Sequence, residues 1–427
     1  MELQLDVTGI AHGGVGVARD DDGRVVFVAD AIPGERVAAV VTESKKSFAR
    51  ASATRVIVAS PDRVEHIWPE ASIGRAPDDR VGGAEFGHIA LARQRALKTE
   101  VLVDALRRFG GLDESAIRAA AERSGSELGR LVRAAPGDDA LGGLGWRTRM
   151  RLHVGADGRP GQYAVRSHRV VPVATLPLAA PGIDAVLGQD FAPGEAITVI
   201  APSAQVAPAA QSAPHSPPEA GELRLVVGEQ RPSVIEERVG ERAFRLDDTG
   251  FWQVHRAAPQ VLAAAVRAAV DPERFDPGAS NIDLYGGVGL LAAALAELGG
   301  PGTRVETVES DTRASEHAGA NLADLENAIA TSARVDRWLR GTAASGGSFA
   351  GATIVLDPPR SGAGIEVAAA IAGLGAAQLV YVACDPVALA RDTRTLQADG
   401  YRMTRLEAHD LFPHTHHVEA VATFLRD

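Results

Sequence analysis

The chain predicts a mixed architecture, with a doubly wound α/β domain in its C-terminal part and a small β-barrel at its start. Three observations carry that expectation. From His255 onward, apolar runs of strand length alternate with helical segments; strands joined by such helices need crossover connections, hence a largely parallel sheet covered on both faces. Before residue 58, runs of alternating valines are broken by glycine and acidic turns, the pattern of a small barrel. Finally, 427 residues exceed one domain at roughly 100 to 200 residues each, so two or three units are expected. Apolar residues at 45% and charged residues at 23% match ordinary globular usage and exclude a chain disordered throughout.

Taken in order, the barrel stretch GIAHGGVGVARDDDGRVVFVADAIPGERVAAVV turns at Asp22-Gly23 and at Pro33-Gly34. Lys45, Lys46 and Arg50 follow close to Phe48, a mixture that single-stranded nucleic-acid binders use, although the local sequence alone favours a solvated strand end. From Phe86 to Arg108 apolar residues recur every three or four positions, and a glycine pair stops the run, which predicts an amphipathic linker helix. Arg147, Arg149 and Arg151 alternate from Gly145 onward. On a strand they share one face, either as a phosphate-facing stripe or as a soluble edge. The Pro-, Ala- and Ser-rich segment 201–222 has no apolar period and reads as an exposed loop. LRLVVG and ERAFRL predict a strand pair. The C-terminal part then runs through strands NIDLYGG, RVETVES, ATIVLDPP, AQLVYVACDP and HVEAVATFLR, with helices between them.

Composition narrows the function classes. A formal charge of -11 excludes a uniformly basic nucleic-acid coat but leaves room for a local basic face. The first ten residues lack the basic start and apolar run of a secretion signal, and no run reaches a membrane span, so a cytoplasmic protein without membrane partners is expected. Cys384 is the only cysteine, which rules out intramolecular disulfides and four-cysteine metal sites.

Within the α/β part, Gly287, Gly289 and Ala292 stand in G-x-G-x-x-A spacing between a strand and a helix, and the next strand ends at Glu309. Glycines there let a ligand approach the backbone, and the acid accepts hydrogen bonds from ribose hydroxyls. A nucleoside cofactor follows, either a nicotinamide dinucleotide or S-adenosylmethionine. A later strand ends in Asp357-Pro358-Pro359-Arg360, and the next in Ala383-Cys384-Asp385-Pro386. Strand carboxyl ends border the ligand crevice of an open parallel sheet. A cysteine there, just before a helix, is either a core residue or a nucleophile whose thiolate the helix dipole favours. His414, His416 and His417 do not match a metal-ligand spacing. Glu419, at the start of the last strand, is a candidate base.

Asp357-Pro358-Pro359-Arg360-Ser361-Gly362, Leu379-Val380-Tyr381-Val382-Ala383-Cys384-Asp385-Pro386 and Asp410-Leu411-Phe412-Pro413-His414-Thr415-His416-His417-Val418-Glu419 resemble the paired signatures of the RNA uracil-5-methyltransferases, the TrmA/RumA group. Phe251-Trp252-Gln253-Val254 resembles that family's element before the cofactor domain, and the N-terminal stretch resembles its RNA-binding TRAM barrel. The resemblance implies a Rossmann-like S-adenosylmethionine-dependent methyltransferase domain at 241–427, an OB-like TRAM barrel at 1–58, and a small central α+β region at 59–240. It implies 5-methyluridine formation in RNA, and the TRAM-like barrel favours ribosomal over transfer RNA; the oligomeric state is open in the sequence, with a monomer favoured. It assigns Cys384 as nucleophile, Glu419 as general base, and Gln253, Tyr285, Glu309 and Asp357 to the cofactor pocket. Two departures stand out. Ala383, Asp385 and Ala388 replace the Ser, Asn and Thr of many members, and a carboxylate beside Cys384 slows attack by raising its pKa. Trp68-Pro69-Glu70 and Gly82-Gly83-Ala84 stand where many relatives carry cysteines of an iron-sulfur cluster, so no cluster is expected. The competing reading is an RNA-binding protein with a retained cofactor pocket and weak or lost catalysis.

Overall fold

The computed structural model describes residues 2–165, 167–203, 222–345 and 349–426; most of the expected loop at 201–222, namely 204–221, lies outside the described residues. Six short strands form the N-terminal unit: β1 (Glu2–Asp6), β2 (Gly9–Ala11), β3 (Val15–Arg19), β4 (Val25–Ala29), β5 (Arg36–Ser44) and β6 (Phe48–Val58). They pair in the order β1-β5-β6-β4-β3-β2. The valine alternation turns Leu5, Val26, Val28, Val37 and Ala51 inward onto one core. Arg50 lies over the Phe27 and Phe48 rings at 5.6 and 5.7 Å, while Lys45 and Arg50 both reach Glu43.

The stretch between barrel and helix buries Trp68, Ala71, Val81 and Ala84 and is pinned by ion pairs of Arg63 with Glu35 and Arg80 with Asp30, both at 2.6 Å. The linker helix α1 (Leu91–Arg108) begins five residues later than its periodicity suggests, because residues 86–90 fold back: Gln94 Nε2 donates to the carbonyls of Phe86 and Ile89 at 3.1 and 2.7 Å. A second helix, α2 (Glu114–Arg123), is capped by Asp113, which accepts from Ala116 N, and strand β7 (Val132–Ala134) follows.

The central sheet runs in the order β10-β9-β8-β11-β12, from β8 (Arg149–Val154), β9 (Pro160–Tyr163), β10 (Val170–Pro172), β11 (Ala196–Ile200) and β12 (Arg224–Val227). The expected pairing of LRLVVG with ERAFRL does not form. Instead β13 (Val234–Val239) and β14 (Arg242–Asp247) make a hairpin closed at Gly240, whose φ of 60° suits glycine, and β12 completes the central sheet beside β11. The arginine stripe is likewise corrected. Arg149 is 9% exposed and donates to the carbonyls of Asp248 and Gly250 at 3.1 and 3.0 Å, so it is a structural clasp, and Arg147 precedes the strand. Only Arg151 stays exposed on it.

The C-terminal unit contains α3 (Ala258–Ala269), β15 (Asn281–Leu284), α4 (Leu290–Gly299), β16 (Val305–Glu309), α5 (Thr312–Asn321), β17 (Ala328–Ser332), α6 (Val335–Ser345), β18 (Thr353–Leu356), α7 (Ile365–Gly373), β19 (Gln378–Ala383), α8 (Pro386–Ala398), β20 (Tyr401–Asp410) and β21 (Glu419–Arg426). Its sheet has the order β17-β16-β15-β18-β19-β21-β20-β7. Strands β15 to β19 are mutually parallel, and β21 enters antiparallel between β19 and β20. Strands β15, β18 and β19 are buried along their whole lengths, as expected of a sheet covered on both faces. The order reverses at β15, so the crevice opens at the carboxyl ends of β15 and β18. Strand β7 adds to the far edge through β20. Among the described residues no helix is long and apolar enough to cross a membrane.

Candidate active site

The topology sends four strands toward one edge, ending in Glu309 on β16, Tyr285 after β15, Asp357 after β18 and Cys384 after β19. With Gln253 and Glu419 they line a single cavity of about 1090 Å³, large for one small ligand and suited to a cofactor beside a substrate base.

On the β15 side the turn is tight. Tyr285 has φ 63°, a left-handed conformation that is strained for a bulky residue, and Tyr285 N and Gly286 N both donate to the Val308 carbonyl at 3.0 and 3.2 Å. A β-carbon on Gly286 would overlap Thr307 Oγ1 and come within 2.7 Å of Asp283 Oδ2. Beneath the turn, Asp283 Oδ2 accepts from Ala292 N at 3.0 Å and from Thr307 Oγ1 at 3.2 Å, while Oδ1 has no hydrogen-bond partner. Burial lifts its pKa to about 7. Glu309 Oε1 accepts from Asp311 N at 2.7 Å and Ser310 Oγ at 3.1 Å, and Oε2 accepts from Gly287 N at 3.1 Å, so Oε2 keeps a lone pair for a hydroxyl donor.

These groups separate the two cofactor classes left open by the glycine motif. A pyrophosphate would need the N-terminal N–H groups of α4, yet Ala292 N already serves Asp283 and the cavity carries carboxylates at Asp357 and Glu309. A pyrophosphate with its two negative charges would be repelled there, whereas a sulfonium cation would be attracted. The donor set fits S-adenosylmethionine.

On the other side, β19 and β21 pair antiparallel with Ala383 opposite Ala420. Continued by one residue, that register sets Cys384 across from Glu419. Glu419 is 3% exposed; burial and then the neighbouring Asp357 hold its carboxyl well above the usual range, against the pull of Arg360. Burial raises Asp357 to about 7. Burial, followed by the Glu419 and Asp357 carboxylates, pushes the Cys384 thiol up to about 12, and Arg360 opposes them. The expected dipole stabilisation of the thiolate is therefore not realised. Burial and the two carboxylates outweigh it, and the first turn of α8 is already engaged: Asp385 is its N-cap, and Asp385 Oδ1 takes the N–H groups of Val387 and Ala388 at 3.0 and 2.8 Å.

The loop that delivers Glu419 is anchored from α1. Lys98 Nζ lies 2.5 Å from Asp410 Oδ1 and 3.0 Å from the Phe412 carbonyl, with both side chains wholly buried, and the amide of Gln94 binds His414 N at 2.8 Å. The three histidines have separate fates. His414 is buried and bonded to the Gly142 carbonyl at 2.8 Å, His416 approaches Glu85 at 3.6 Å, and His417 lines the cavity, where burial lowers its pKa to about 3. Among the described residues no cluster of three or more metal-ligating side chains occurs.

Arg360 and Arg147 were read from the sequence only as part of a motif and of a stripe, yet both line the cavity. Their signal was present for Arg360: a cation fixed by two prolines at a strand end otherwise rich in carboxylates. Nothing in the local sequence around Arg147 separates it from Arg149.

A parallel sheet that reverses at β15, a glycine turn over a buried aspartate and an acidic cavity define an S-adenosylmethionine-dependent methyltransferase fold carrying an N-terminal barrel. Comparisons with known proteins agree. The sequence model described as tRNA (Uracil-5-)-methyltransferase matches residues 323–426, and that of the TRAM domain matches residues 2–54. An uncharacterized RNA methyltransferase of Streptomyces avermitilis is 37% identical over 445 residues, covering 99% of this chain and 97% of the relative. The 23S rRNA (uracil(1939)-C(5))-methyltransferase RlmD of Alkalilimnicola ehrlichii is 30% identical, covering 100% and 97%. The crystal structure of Pyrococcus abyssi tRNA (uracil-54, C5)-methyltransferase with S-adenosyl-L-homocysteine shares the fold, with a TM-score of 0.66, 20% identity, and 99% and 100% of the two chains covered. The chain belongs to the S-adenosylmethionine-dependent RNA (uracil-5-)-methyltransferase family.

Proposed function

We propose that the protein methylates carbon-5 of a uridine in ribosomal RNA through a covalent adduct on Cys384. The observation that carries the chemistry is the strand register that sets Cys384 across from Glu419 at the edge of one cavity. Carbon-5 of uracil is a poor nucleophile, so the ring must first be activated by addition at carbon-6. Cys384 Sγ gives up its proton, for which Asp357, with a pKa near 7, is a suitable acceptor, and bonds to carbon-6. The C5=C6 electron pair moves toward O4, leaving carbon-5 able to attack. When bound, S-adenosylmethionine supplies an electrophilic methyl group on a sulfonium. After transfer, ionised Glu419 takes the carbon-5 proton, the double bond re-forms, and the Cys384 thiolate leaves. Gln253, Tyr285, Glu309 and Asp357 hold the cofactor, with Gln253 and Asp357 also beside the base.

The division into barrel (1–58), central region (59–240) and methyltransferase domain (241–427) belongs to the same proposal, with the central region lending β7 to the large sheet. RNA would approach past Arg147 into a side cavity of about 600 Å³ lined by Arg151, Tyr163 and His168, a mixture of cations and stacking rings suited to an unpaired strand. A flipped base then reaches Cys384. Ribosomal RNA is preferred over transfer RNA because the RlmD relative matches along the whole chain. Mapping 5-methyluridine in RNA from cells lacking the protein tests this: loss of one ribosomal position supports it, and loss only from transfer RNA overturns the substrate. A second reading, an RNA-binding protein with weak catalysis, draws on the raised Cys384 thiol. Purified protein given methyl-labelled S-adenosylmethionine and total RNA separates the two, since absence of label on pyrimidine carbon-5 favours the binding protein.

A further inference from the structure

The turn between β2 and β3, His12-Gly13-Gly14, leaves the barrel and reaches the methyltransferase unit beside the proposed nucleophile. His12 Nε2 stands 3.2 Å from Asp385 Oδ2, and a narrow cleft there is bordered by His12, Gly14, Lys98, Cys384, Asp385 and His416. The approach is close: Gly14 has φ 72°, and a β-carbon on it would lie 2.5 Å from the His416 β-carbon and 2.8 Å from the Phe86 ring. Asp385 is held on both sides, by His12 through Oδ2 and by the first turn of α8 through Oδ1.

We propose that His12 is a positioning residue for Cys384: by binding Asp385 it turns that carboxylate away from the thiol and neutralises it, so that nucleophile competence depends on the barrel being docked. The inference rests on Cys384 being the nucleophile. Without His12, the carboxylate adjoining Cys384 would lose its cationic partner and keep only the two N–H groups of α8, adding to the Glu419 and Asp357 charges that already disfavour the thiolate. The groups facing His12 are Asp385, which favours its charged form, and Arg391 of α8, which disfavours it; Lys98 of α1 and His416 border the same cleft. Asp385 raises the His12 pKa through their hydrogen bond, against burial, so His12 keeps its charge to higher pH than a free imidazole and loses it as pH rises through that raised value.

Because Cys384 is the only cysteine, carbamidomethylation by iodoacetamide reports on it alone, without RNA or cofactor. In the full chain at pH 7, His12→Ala is expected to slow alkylation about three- to tenfold, equivalent to a thiol pKa rise of roughly half to one unit. Asp385→Asn, which keeps the helix cap, is expected to bring the His12→Ala/Asp385→Asn double variant within about twofold of Asp385→Asn alone, because the anion is gone. His12→Gln, a neutral donor, serves where the alanine variant melts early. It is expected to slow alkylation at the acid end of the pH profile, where wild-type His12 is charged, and to converge on wild type as pH rises through the raised His12 value. Wild-type rates in both His12 variants, or no rescue by Asp385→Asn in a double variant that melts normally, overturn the proposal. If the alkylation pattern appears in a protein that transfers no methyl group, the coupling stands and the methyltransferase reading falls.

Discussion

Replacing Lys98 by methionine removes the cation from an ion pair in which both side chains are wholly buried, with Nζ 2.5 Å from Asp410 Oδ1. Methionine fills similar space, so the loss is electrostatic: Asp410 becomes a buried carboxylate without its main partner. Breaking such a pair costs about 3–5 kcal/mol. Arg95, 3.4 Å from Asp410 Oδ2, offsets part of that, which sets the expectation near the lower end, about 3 kcal/mol. For a domain of roughly 200 residues this corresponds to a fall in Tm of about 6–12 °C, read as the methyltransferase-unit transition in calorimetry. Methyl transfer should fall as well, because Lys98 also donates to the Phe412 carbonyl in the loop that delivers Glu419. Lys98→Met/Asp410→Leu, which removes both charges, should recover at least half of the lost stability. A fall below about 2 °C in the single variant would refute the reasoning, as would a double variant less stable than the single one.

Glu419→Gln should let the Cys384 adduct form but not resolve, so a protein–RNA complex that survives denaturing gels accumulates; normal product release would remove Glu419 as base. Gly286→Ala should weaken S-adenosylhomocysteine binding more than tenfold in calorimetry, since its β-carbon would overlap Thr307 Oγ1; unchanged binding would contradict the turn geometry. Asp283 has a folded pKa raised to about 7 by burial. Its contribution to stability is fully present below about pH 4, the unfolded value, and is lost as pH rises through about 7. Asp283→Asn should therefore gain on wild type in Tm between pH 5 and pH 8, and parallel curves would count against it. Arg360→Gln removes the cation that opposes the carboxylates around Cys384, so iodoacetamide should label the variant more slowly, and an unchanged rate would show that Arg360 does not act on the thiol.

Much of the site was legible because its chemistry sits at strand ends. Asp357, Cys384 and Glu419 each adjoin a run of buried β residues that any reading of periodicity finds, and a parallel sheet brings such ends together without further information. The pairing of β13 with β14 was not legible, since the β13 run is as short as LRLVVG, the partner the sequence suggested; the tight turn at Gly240 decides it. Strand β20, YRMTRLEAHD, hides its pattern under charge because a partly covered edge tolerates Arg and Glu. Strand β7 is three residues long and becomes a strand only against β20. Arg149 shows the same limit at the level of one side chain. Its spacing is that of a surface stripe, and its burial comes from carbonyls of Asp248 and Gly250, about 100 residues away in sequence.

The acidic total charge takes on a different meaning once the charges are located. Asp283, Glu309, Asp357 and Glu419 lie in or under one cavity, where they disfavour phosphates and favour a sulfonium, while Arg147 and Arg360 also line that cavity and Arg151 lines the adjoining one. An acidic interior next to basic side chains lets one site accept a cationic cofactor and a polyanionic substrate together. Burial raises the Cys384 thiol, and two of these carboxylates, Glu419 and Asp357, raise it further, so the arrangement that suits the cofactor works against the nucleophile. The cations that can restore the balance are Arg360 within the cavity and His12 from the barrel. Asp385, one of three positions around the nucleophile at which the sequence departs from the family pattern it resembles, is thus held by the domain that the resemblance assigns to RNA binding, and the departure reads as a link between that domain and the nucleophile.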